Sequence, residues 1–364
     1  DMINTKDLPT QMNSPIYKNW HAPMDAACVN ALISAGLIVI GKTVTTSFAV
    51  GHTNETTNPY DINRTPGGSS SGSGASVGAG MVPIAIGTQT RGSLLRPASF
   101  CGSVGFKPTH NSIHLGGVHP LSPTLDHLGV ISNSISDAFN CVKIMSKTRS
   151  AFSGHNLFQK NLSDSDQIPI KNLAILEFNE WQSAGKETEE EFNKVVKTLS
   201  SAGCKISNVE NDATLKNIEN DLINIIDTES LDILAYEMDW PFNSYPSEQL
   251  DGRILDLLEK GEFISFSDYH ILLQKRKKIR EEVNSLCKKY DAFLTLSSTG
   301  PAPFGNENTG SRHYQVPWTY LGFPAFSLPL LIVEGMPVGI QLMGFKNQDE
   351  ILAKQAQWIS KFFI

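Results

Sequence analysis

Two glycine- and serine-rich turns, separated by a short apolar segment, constrain this chain more than any other feature of its sequence. Residues 67–74 read GGSSSGSG and residues 87–93 read GTQTRGS, and the apolar residues 81–86 between them are predicted to form a buried strand. Glycine lets a backbone approach a substrate closely, and serine becomes a nucleophile once a base takes its proton. The pattern therefore indicates an acyl-transfer site built from hydroxyls and backbone N–H groups.

The rest of the pattern predicts strands that alternate with helices, which is typical of an α/β architecture. Apolar residues at helical spacing predict helices over 22–35, 134–146, 188–203, 267–290 and 348–359, and the small residues 72–80 predict a tightly packed helix. Strands are predicted over 37–40, 173–176, 292–296, 325–332 and 338–342, and a surface linker over 150–167. The basic run 275–278 is interpreted as a solvated helix face, not as an anion-binding patch.

Residues 67–109 carry a family resemblance. The run GGSSSGS, followed by GTQTRGSLLRPASFCGSVGFKPT, resembles the motif of the amidase signature family. Shorter similarities occur at 41–46, 122–126, 322–325 and 335–342, whereas the resemblance is weak from about 150 to 290. It implies a single amidase signature domain over 1–364, an α/β fold with a large mixed sheet flanked by helices. The core of that domain is 67–109, about 150–290 is a more variable helical region, and an N-terminal part is missing.

The resemblance also implies the reaction and its residues. It implies hydrolysis of a linear C–N amide bond through a serine acyl-enzyme, without a metal or an organic cofactor. Ser93 is then the nucleophile and Ser69 the bridging serine, 93 − 69 = 24 positions apart as the family motif requires. A cis peptide bond is expected between Gly68 and Ser69. The N–H groups of the oxyanion hole are expected at Ser93 and at three residues before it, Thr90, Arg91 and Gly92.

Two arginines stand out within this motif. The family often has glycine where Arg91 stands, and an arginine with ordinary backbone dihedrals can still donate its backbone N–H. Arg96, three residues after Ser93, resembles the malonamidase branch, in which an arginine at this spacing binds a substrate carboxylate. The alternative, a structural ion pair that holds the following turn, is equally open.

The general base is the part of the pattern that the chain does not supply. In the family the catalytic lysine ends an earlier strand in a Val-Lys-Asp or Val-Lys-Glu run, and Asp1 resembles the acid of that run. We therefore expect the base lysine immediately before Asp1, and we expect the chain as given to be inactive. Lys42, in a Gly-Lys-Thr turn, is interpreted as a structural residue after a core strand and not as the base.

Other functions remain open or are disfavoured. One alternative is the amidase subunit of a tRNA-dependent amidotransferase, although Gln89 and Arg91 depart from the Gly-Thr-Asp-Thr-Gly-Gly-Ser run usual there. Another is a fragment without activity. Residues 36–43 fit a phosphate-binding loop, but the residues between the glycines are themselves an apolar strand. Residues 68–72 fit a nucleophile elbow, but a polar loop precedes them instead of a strand.

Composition limits the partners that the sequence predicts. A net charge of −7 and an isoelectric point near 5.7 give no electrostatic reason to expect nucleic acid. No apolar stretch is long enough to span a membrane, and five widely spaced cysteines form no metal motif and indicate a reducing, cytoplasmic compartment. From composition we expect neither nucleic acid nor membrane as a partner, and a homo-oligomer is left open. The resemblance implies a small-molecule amide as the substrate.

Overall fold

An eight-stranded mixed sheet organises the computed structural model, which describes residues 1–148 and 167–363. Its strands are β1 (Ile84–Gln89), β2 (Val104–Lys107), β3 (His127–Ser132), β4 (Asn172–Ile175), β5 (Lys205–Ser207), β6 (Ala292–Leu296), β7 (Ala325–Val333) and β8 (Met336–Met343). They lie in the order β1-β3-β2-β7-β8-β6-β4-β5. Pairing is antiparallel from β1 to β6 and parallel where β4 joins β6 and β5. The predicted α/β fold with a large mixed sheet is confirmed.

Helices pack against this sheet and extend the chain beyond it. The α-helices of the described residues are α1 (Ala27–Ser34), α2 (Ser71–Gly78), α3 (Leu95–Phe100), α4 (Ile135–Met145), α5 (Lys186–Ser201), α6 (Ala213–Asn224), α7 (Ser230–Glu237), α8 (Asp239–Phe242), α9 (Gly252–Glu262), α10 (Phe266–Ser285), α11 (Val316–Leu321) and α12 (Asp349–Ser360). Helices α3, α4, α5 and α12 contact strands of the sheet. A one-turn π-helical segment, Ile225–Glu229, joins α6 to α7.

A tight hairpin at the centre of the sheet illustrates how local sequence sets the pairing. Val333 pairs with Met336, so only Glu334 and Gly335 form the turn between β7 and β8. Both have positive φ, 52° and 75°. This backbone follows the twist of the flanking strands, and glycine adopts it without steric cost.

Small residues in α2 let it approach α3 closely, as the sequence predicts. A Cβ atom added at Gly74 would lie 2.9 Å from Cβ of Pro97. One added at Gly78 would lie 2.3 Å from the carbonyl oxygen of Cys101. These two helices carry the residues that follow the two serine-bearing turns, so their close packing fixes one turn against the other.

Most of the predicted elements are confirmed, with shifts at their ends. The helices over 134–146 and 348–359 and the strands over 173–176, 292–296, 325–332 and 338–342 all form. Helix α5 begins at Lys186, two residues earlier than predicted, behind a Gly185 N-cap without a side-chain bond. Helix α10 begins with a capping box between Ser265 and Asp268 and ends at Ser285, before the predicted 290.

Two predicted strands differ from the structure. Residues 37–40 form no strand, and the side chains of Ile38 and Ile40 are 84% and 74% exposed. An apolar, β-branched run has strand propensity, but a strand forms only where a neighbouring edge pairs with it. The strand predicted as buried over 81–86 is β1, which begins at Ile84 and is only half-buried, while Met81 is exposed.

The basic run on α10 is solvated only in part. Lys275, Lys277 and Lys278 are exposed, as expected of a solvated face. Arg276 is buried instead, and its guanidinium donates to the carbonyl oxygens of Tyr320 at 2.6 Å and Thr124 at 3.0 Å. Burial lowers the pKa of Arg276 to about 9. Arg276 thus connects α10 to α11 and to the segment before β3.

Three further predictions concern the linker over 150–167, the helical region from about 150 to 290, and membrane spans. The predicted linker over 150–167 lies outside the described residues except for its last position. Helices α5 to α10 occupy 186–285, within the region predicted to be helical. In the described ranges 1–148 and 167–363, no helix has both the length and the apolar character needed to cross a membrane.

The contact between α2 and α3 gives the first testable prediction. Gly78→Ala places a methyl group against the Cys101 carbonyl, which is backbone and cannot move away cheaply. We expect a loss of about 1–3 kcal/mol in the free energy of unfolding, measured by urea denaturation. Gly252→Ala is the control, because no atom lies within 4 Å of the added Cβ at the start of α9. Equal stability of the two variants would contradict the close packing.

Candidate active site

Ser69 lies in a turn that backbone and side-chain bonds hold from one side. The peptide bond between Gly68 and Ser69 is cis, as the resemblance implies. The Ser69 carbonyl accepts from Thr45 Oγ1 at 2.9 Å and from the Thr46 backbone N–H at 3.1 Å. The Ser69 hydroxyl is buried and has no hydrogen-bond partner among the described residues. It is therefore free to bond to a group that enters the site.

The second turn, which carries Ser93, is organised by the side chain of Gln89. Its Oε1 accepts from the backbone N–H groups of Leu94 and Leu95, both at 3.0 Å, and its Nε2 donates to Thr319 Oγ1 at 2.9 Å. These bonds close the loop 90–93 between β1 and α3. Sequence analysis treated Gln89 only as a departure from another subfamily and missed this role.

A direct backbone bond joins the two turns. The N–H of Ser70 donates to the carbonyl oxygen of Ser93 at 3.0 Å. Ser69 and Ser93 consequently open into one cavity of about 310 Å³. Thr90, Arg91 and Arg96 also line this cavity, whereas Gly92 does not.

Gly92 lies directly behind the cavity wall. A Cβ atom at Gly92 would meet Gln315 Oε1 at 3.0 Å and Cβ of Arg312 at 3.1 Å, so a larger residue would displace one of them. Within the described residues, the backbone N–H groups of 90–93 donate no hydrogen bond. Four unpaired donors thus lie in the loop that bears Ser93.

Arg96 is fully buried beneath the first turn. Its Nε and Nη2 donate to the Gly68 carbonyl at 3.2 and 2.6 Å, and its Nη1 donates to the Gly310 carbonyl at 2.6 Å. Burial lowers the pKa of Arg96 well below its usual value, and the neighbouring Arg312 lowers it further. These bonds hold the earlier turn at Gly68 and not the turn after Arg96 that the structural alternative named, and carbonyl oxygens take the place of the expected ion-pair partner.

The side chain of Arg91 extends to the π-helical segment Ile225–Glu229. Its guanidinium donates to the carbonyl of Ile226 in the π-helical segment, and its Nε is buried without a partner. Burial and the neighbouring Arg312 lower the pKa of Arg91 to about 9, and Asp227 offsets part of this shift. Arg91 thereby ties the nucleophile loop to the segment between α6 and α7.

The cavity carries an excess of positive charge. Besides Arg91 and Arg96, its cationic lining residues are Arg253, Lys260 and Arg312, and Asp256 is the one acidic residue among the described lining. Lys260 is paired with Asp232 at 2.7 Å. Burial lowers the pKa of Arg312, and Arg253 lowers it further. Arg253, Lys260 and Arg312 were not predicted from the sequence, because they lie outside the continuous motif and no local spacing marks them.

Lys42 does not contact either serine. Its Nζ donates to the Ile3 carbonyl and to Thr10 Oγ1, both at 2.6 Å, and lies 3.5 Å from a carboxylate oxygen of Asp1. Burial lowers the pKa of Lys42 to about 8. These bonds connect the first residues of the chain to the segment between α1 and α2. Lys42 thus makes structural contacts, although the strand predicted before it at 37–40 does not form. No described residue hydrogen-bonds the hydroxyl of Ser69.

Asp126 supports the nucleophile loop from behind. It accepts from Thr90 Oγ1 at 2.7 Å and from the backbone N–H groups of Leu121 and Ser122 at 2.8 and 3.0 Å. Burial raises the pKa of Asp126 to about 6, although the three bonds lower it. Part of the family resemblance, 122–126, thus proves to buttress the site.

Comparison with known proteins places this chain in one class, the amidases. The model of the family described as Amidase matches residues 1–352, so the chain belongs to the amidase family. It is 28% identical over 399 residues to a glutamyl-tRNA(Gln) amidotransferase subunit from Pseudothermotoga lettingae, covering all of this chain and 84% of that protein. It is 31% identical to the corresponding subunit from Prochlorococcus marinus, covering 97% of this chain and 81% of that protein.

Solved structures agree with this assignment. The structure of the glutamyl-tRNA(Gln) amidotransferase subunit from Thermotoga maritima superposes with a TM-score of 0.83 at 28% identity, covering 99% of this chain and 81% of that one. A structure described as an amidase gives a TM-score of 0.81 at 24% identity and supports the fold alone. The relatives favour the second reading, an amidotransferase subunit, over a general amidase, despite Gln89 and Arg91.

The expected set of partners is wrong. The sequence predicted a small-molecule amide and no nucleic acid, and it left a homo-oligomer open. The relatives are instead named as one subunit of an enzyme for glutamyl-tRNA(Gln). Net charge failed as a guide because it averages over the whole surface, whereas a partner contacts one patch of it.

The buried Asp126 gives a pH-dependence prediction. Because its pKa is raised to about 6 from 3.8, the folded protein keeps the proton in a range where the unfolded chain has lost it. Its contribution to stability is present below pH 4 and is lost as the pH rises to 6, up to about 3 kcal/mol. Asp126→Asn should remove that slope from the free energy of unfolding. The exposed Asp221→Asn on α6 is the control, and an unchanged slope in Asp126→Asn would contradict the assignment.

Proposed function

We propose that this chain is the amide-cleaving subunit of an amidotransferase and releases ammonia from a donor amide. The observation that carries the proposal is the pair Ser69 and Ser93, whose turns are joined by the Ser70 to Ser93 backbone bond and open into one cavity. The amidotransferase relatives support this function. Ser93 Oγ attacks the amide carbon, the C–N bond breaks, and the protonated nitrogen leaves as ammonia. Water then hydrolyses the acyl-Ser93 ester to a carboxylic acid.

The loop 90–93 is suited to stabilise the charge of that attack. Its N–H groups are not used by other described residues, and donors preorganised at a developing oxyanion lower the barrier by about 3–4 kcal/mol each. Gln89 fixes the loop through two bonds to the backbone beyond it. In this proposal Thr90, Arg91 and Gly92, together with Ser93, provide the oxyanion hole.

Ser69 passes the proton of Ser93 to a general base in this proposal. Its hydroxyl is buried without a hydrogen-bond partner. Because a buried, unpaired hydroxyl is costly, bonding to a proton acceptor during turnover is favourable. In the family that base is a lysine, and no described lysine contacts Ser69. We therefore expect turnover to require a general base in addition to the described residues that contact Ser69.

The charges of the cavity indicate the donor. Arg253 and Arg312 face a cavity with a single described carboxylate, Asp256. Arginine binds carboxylates through paired N–H donors, so we propose an amide that carries a carboxylate. Glutamine fits, with its carboxylate near the arginines and its ammonium near Asp256.

The excess of positive charge favours a second function. This is a stand-alone hydrolase for an amide that has a carboxylate and no ammonium group. The two functions are separated by assaying ammonia release from glutamine and from succinamate. The same assay then tests transfer to glutamyl-tRNA(Gln) in the presence of the other subunits. Preference for glutamine with transfer supports the amidotransferase, and preference for succinamate without transfer supports the hydrolase.

Ser93→Ala tests the nucleophile. We expect it to abolish ammonia release in the assembled enzyme, because no acyl-enzyme can form, while substrate still binds. Ser76→Ala is the control, since Ser76 lies on α2 outside the lining of the cavity and its hydroxyl donates to the Ser73 carbonyl at 3.1 Å. Ammonia release by Ser93→Ala at the wild-type rate would refute the assignment. Ammonia release by the isolated wild-type chain would show that a base already exists within it.

Arg312→Gln tests the carboxylate site. We expect KM for glutamine to rise about tenfold to a hundredfold, because a charge-assisted hydrogen bond contributes about 1.5–3 kcal/mol. KM for butyramide, which has no carboxylate, should change little. The comparison is made from steady-state kinetics of both substrates. Equal changes for the two amides would show that Arg312 acts on the fold of the loop and not on the carboxylate.

A further inference from the structure

A groove on the outer side of α7, α8 and α9 has the chemistry of a protein-docking surface. Its volume is about 380 Å³. Tyr236, Trp240 and Leu258 form its apolar part, and Tyr236 stacks on Tyr269 of α10 at a centroid distance of 4.2 Å. The groove is rigid at its base, since a Cβ atom at Gly261 would lie 2.4 Å from the Ala235 carbonyl.

Large aromatic side chains around this groove are exposed to solvent. Trp240 is 72% exposed, and Phe263, next to the lining residue Glu262, is 81% exposed. Phe266 opens α10 three residues later and is 74% exposed. Single exposed apolar residues are ordinary, but an exposed tryptophan that lines a groove is typical of interaction surfaces, where tryptophan often contributes much of the affinity.

The charged groups of the groove are all acidic. Glu237, Asp239 and Glu262 line it, and no lysine or arginine does so among the described residues. The carboxylate of Glu237 accepts hydrogen bonds from Ser122, Thr124 and Tyr269, so Asp239 and Glu262 form the acidic rim. An acidic rim repels the phosphates of tRNA and attracts lysine and arginine side chains. The charge therefore favours a protein segment with basic residues over nucleic acid.

The groove and the catalytic cavity lie on opposite sides of the same two helices. On α7, Leu231 and Leu234 line the cavity, and Ala235 and Tyr236 line the groove. On α9, Leu257 lines the cavity and Leu258 the groove. A partner in the groove would thus be about one helix diameter, roughly 10 Å, from the cavity wall.

We propose that this groove binds a basic segment with apolar anchors from another subunit of the amidotransferase, with Trp240 as the central contact. The proposal rests on the proposed function. Apolar side chains of the segment fill the space beside Tyr236 and Leu258, and its basic side chains pair with the acidic rim. Docking there places the partner beside the site that releases ammonia.

The test measures binding of the separately purified other subunits of the source organism's amidotransferase to the full chain by calorimetry. Trp240→Ser should weaken binding about thirtyfold or more. Glu262→Lys should weaken it at low salt and less at high salt, since the effect is electrostatic. Ile62→Ser is the matched control, because Ile62 is an equally exposed apolar residue, 75%, outside the groove.

Thermal unfolding of each variant confirms that the fold is retained, and the exposed Glu262→Lys change keeps the test valid if an aromatic variant unfolds. Weaker binding by the groove variants with normal binding by Ile62→Ser supports the proposal. Equal binding by all variants overturns the groove and leaves the proposed function intact. If the other subunits do not bind even the wild-type chain, the proposed function fails and the groove proposal fails with it.

Discussion

The hydrogen bond from the Ser70 N–H to the Ser93 carbonyl is the contact on which the site depends. It joins two turns that are far apart in the sequence and opens Ser69 and Ser93 into one cavity. Arg96 reinforces it by holding the carbonyl of Gly68, which precedes Ser69. Because a buried carbonyl must be paired, this arginine supports the first turn while it also faces the cavity. The close packing of α2 on α3 then keeps the two turns at a fixed separation.

The second constraint is electrostatic. Burial is the largest cause that lowers the pKa of Arg91, Arg96 and Arg312. Arg312 further lowers the pKa of Arg91 and of Arg96, and Arg253 further lowers that of Arg312. Buried charges of one sign are costly unless they are paired. Arg96 offsets part of this cost through three bonds to carbonyls, whereas the Nε of Arg91 has no partner. An anionic group in the cavity would neutralise this excess, which is the physical link between the fold and the proposed donor.

Helices α7 and α9 connect the catalytic cavity to the outer surface. The two helices pack closely at Gly261. Each of them presents one face to the cavity and another to the groove. Glu237 at the groove also accepts from Ser122 Oγ, and Ser122 in turn donates its N–H to Asp126, which holds Thr90. The region that the sequence resemblance describes least well therefore supplies both a wall of the site and the surface nearest to it.

Local sequence determined what depends on short-range chemistry. The continuous motif over 67–109 predicted the family, and periodicity located most helices and strands. It could not decide which apolar runs find a partner, so 37–40 was predicted as a buried strand and is exposed. Nor could it reveal that Arg276 leaves a basic surface run to bond Tyr320, or that Arg312 reaches the cavity. Burial and charge at a site are sums over residues distant in sequence, and only the tertiary structure brings those residues together.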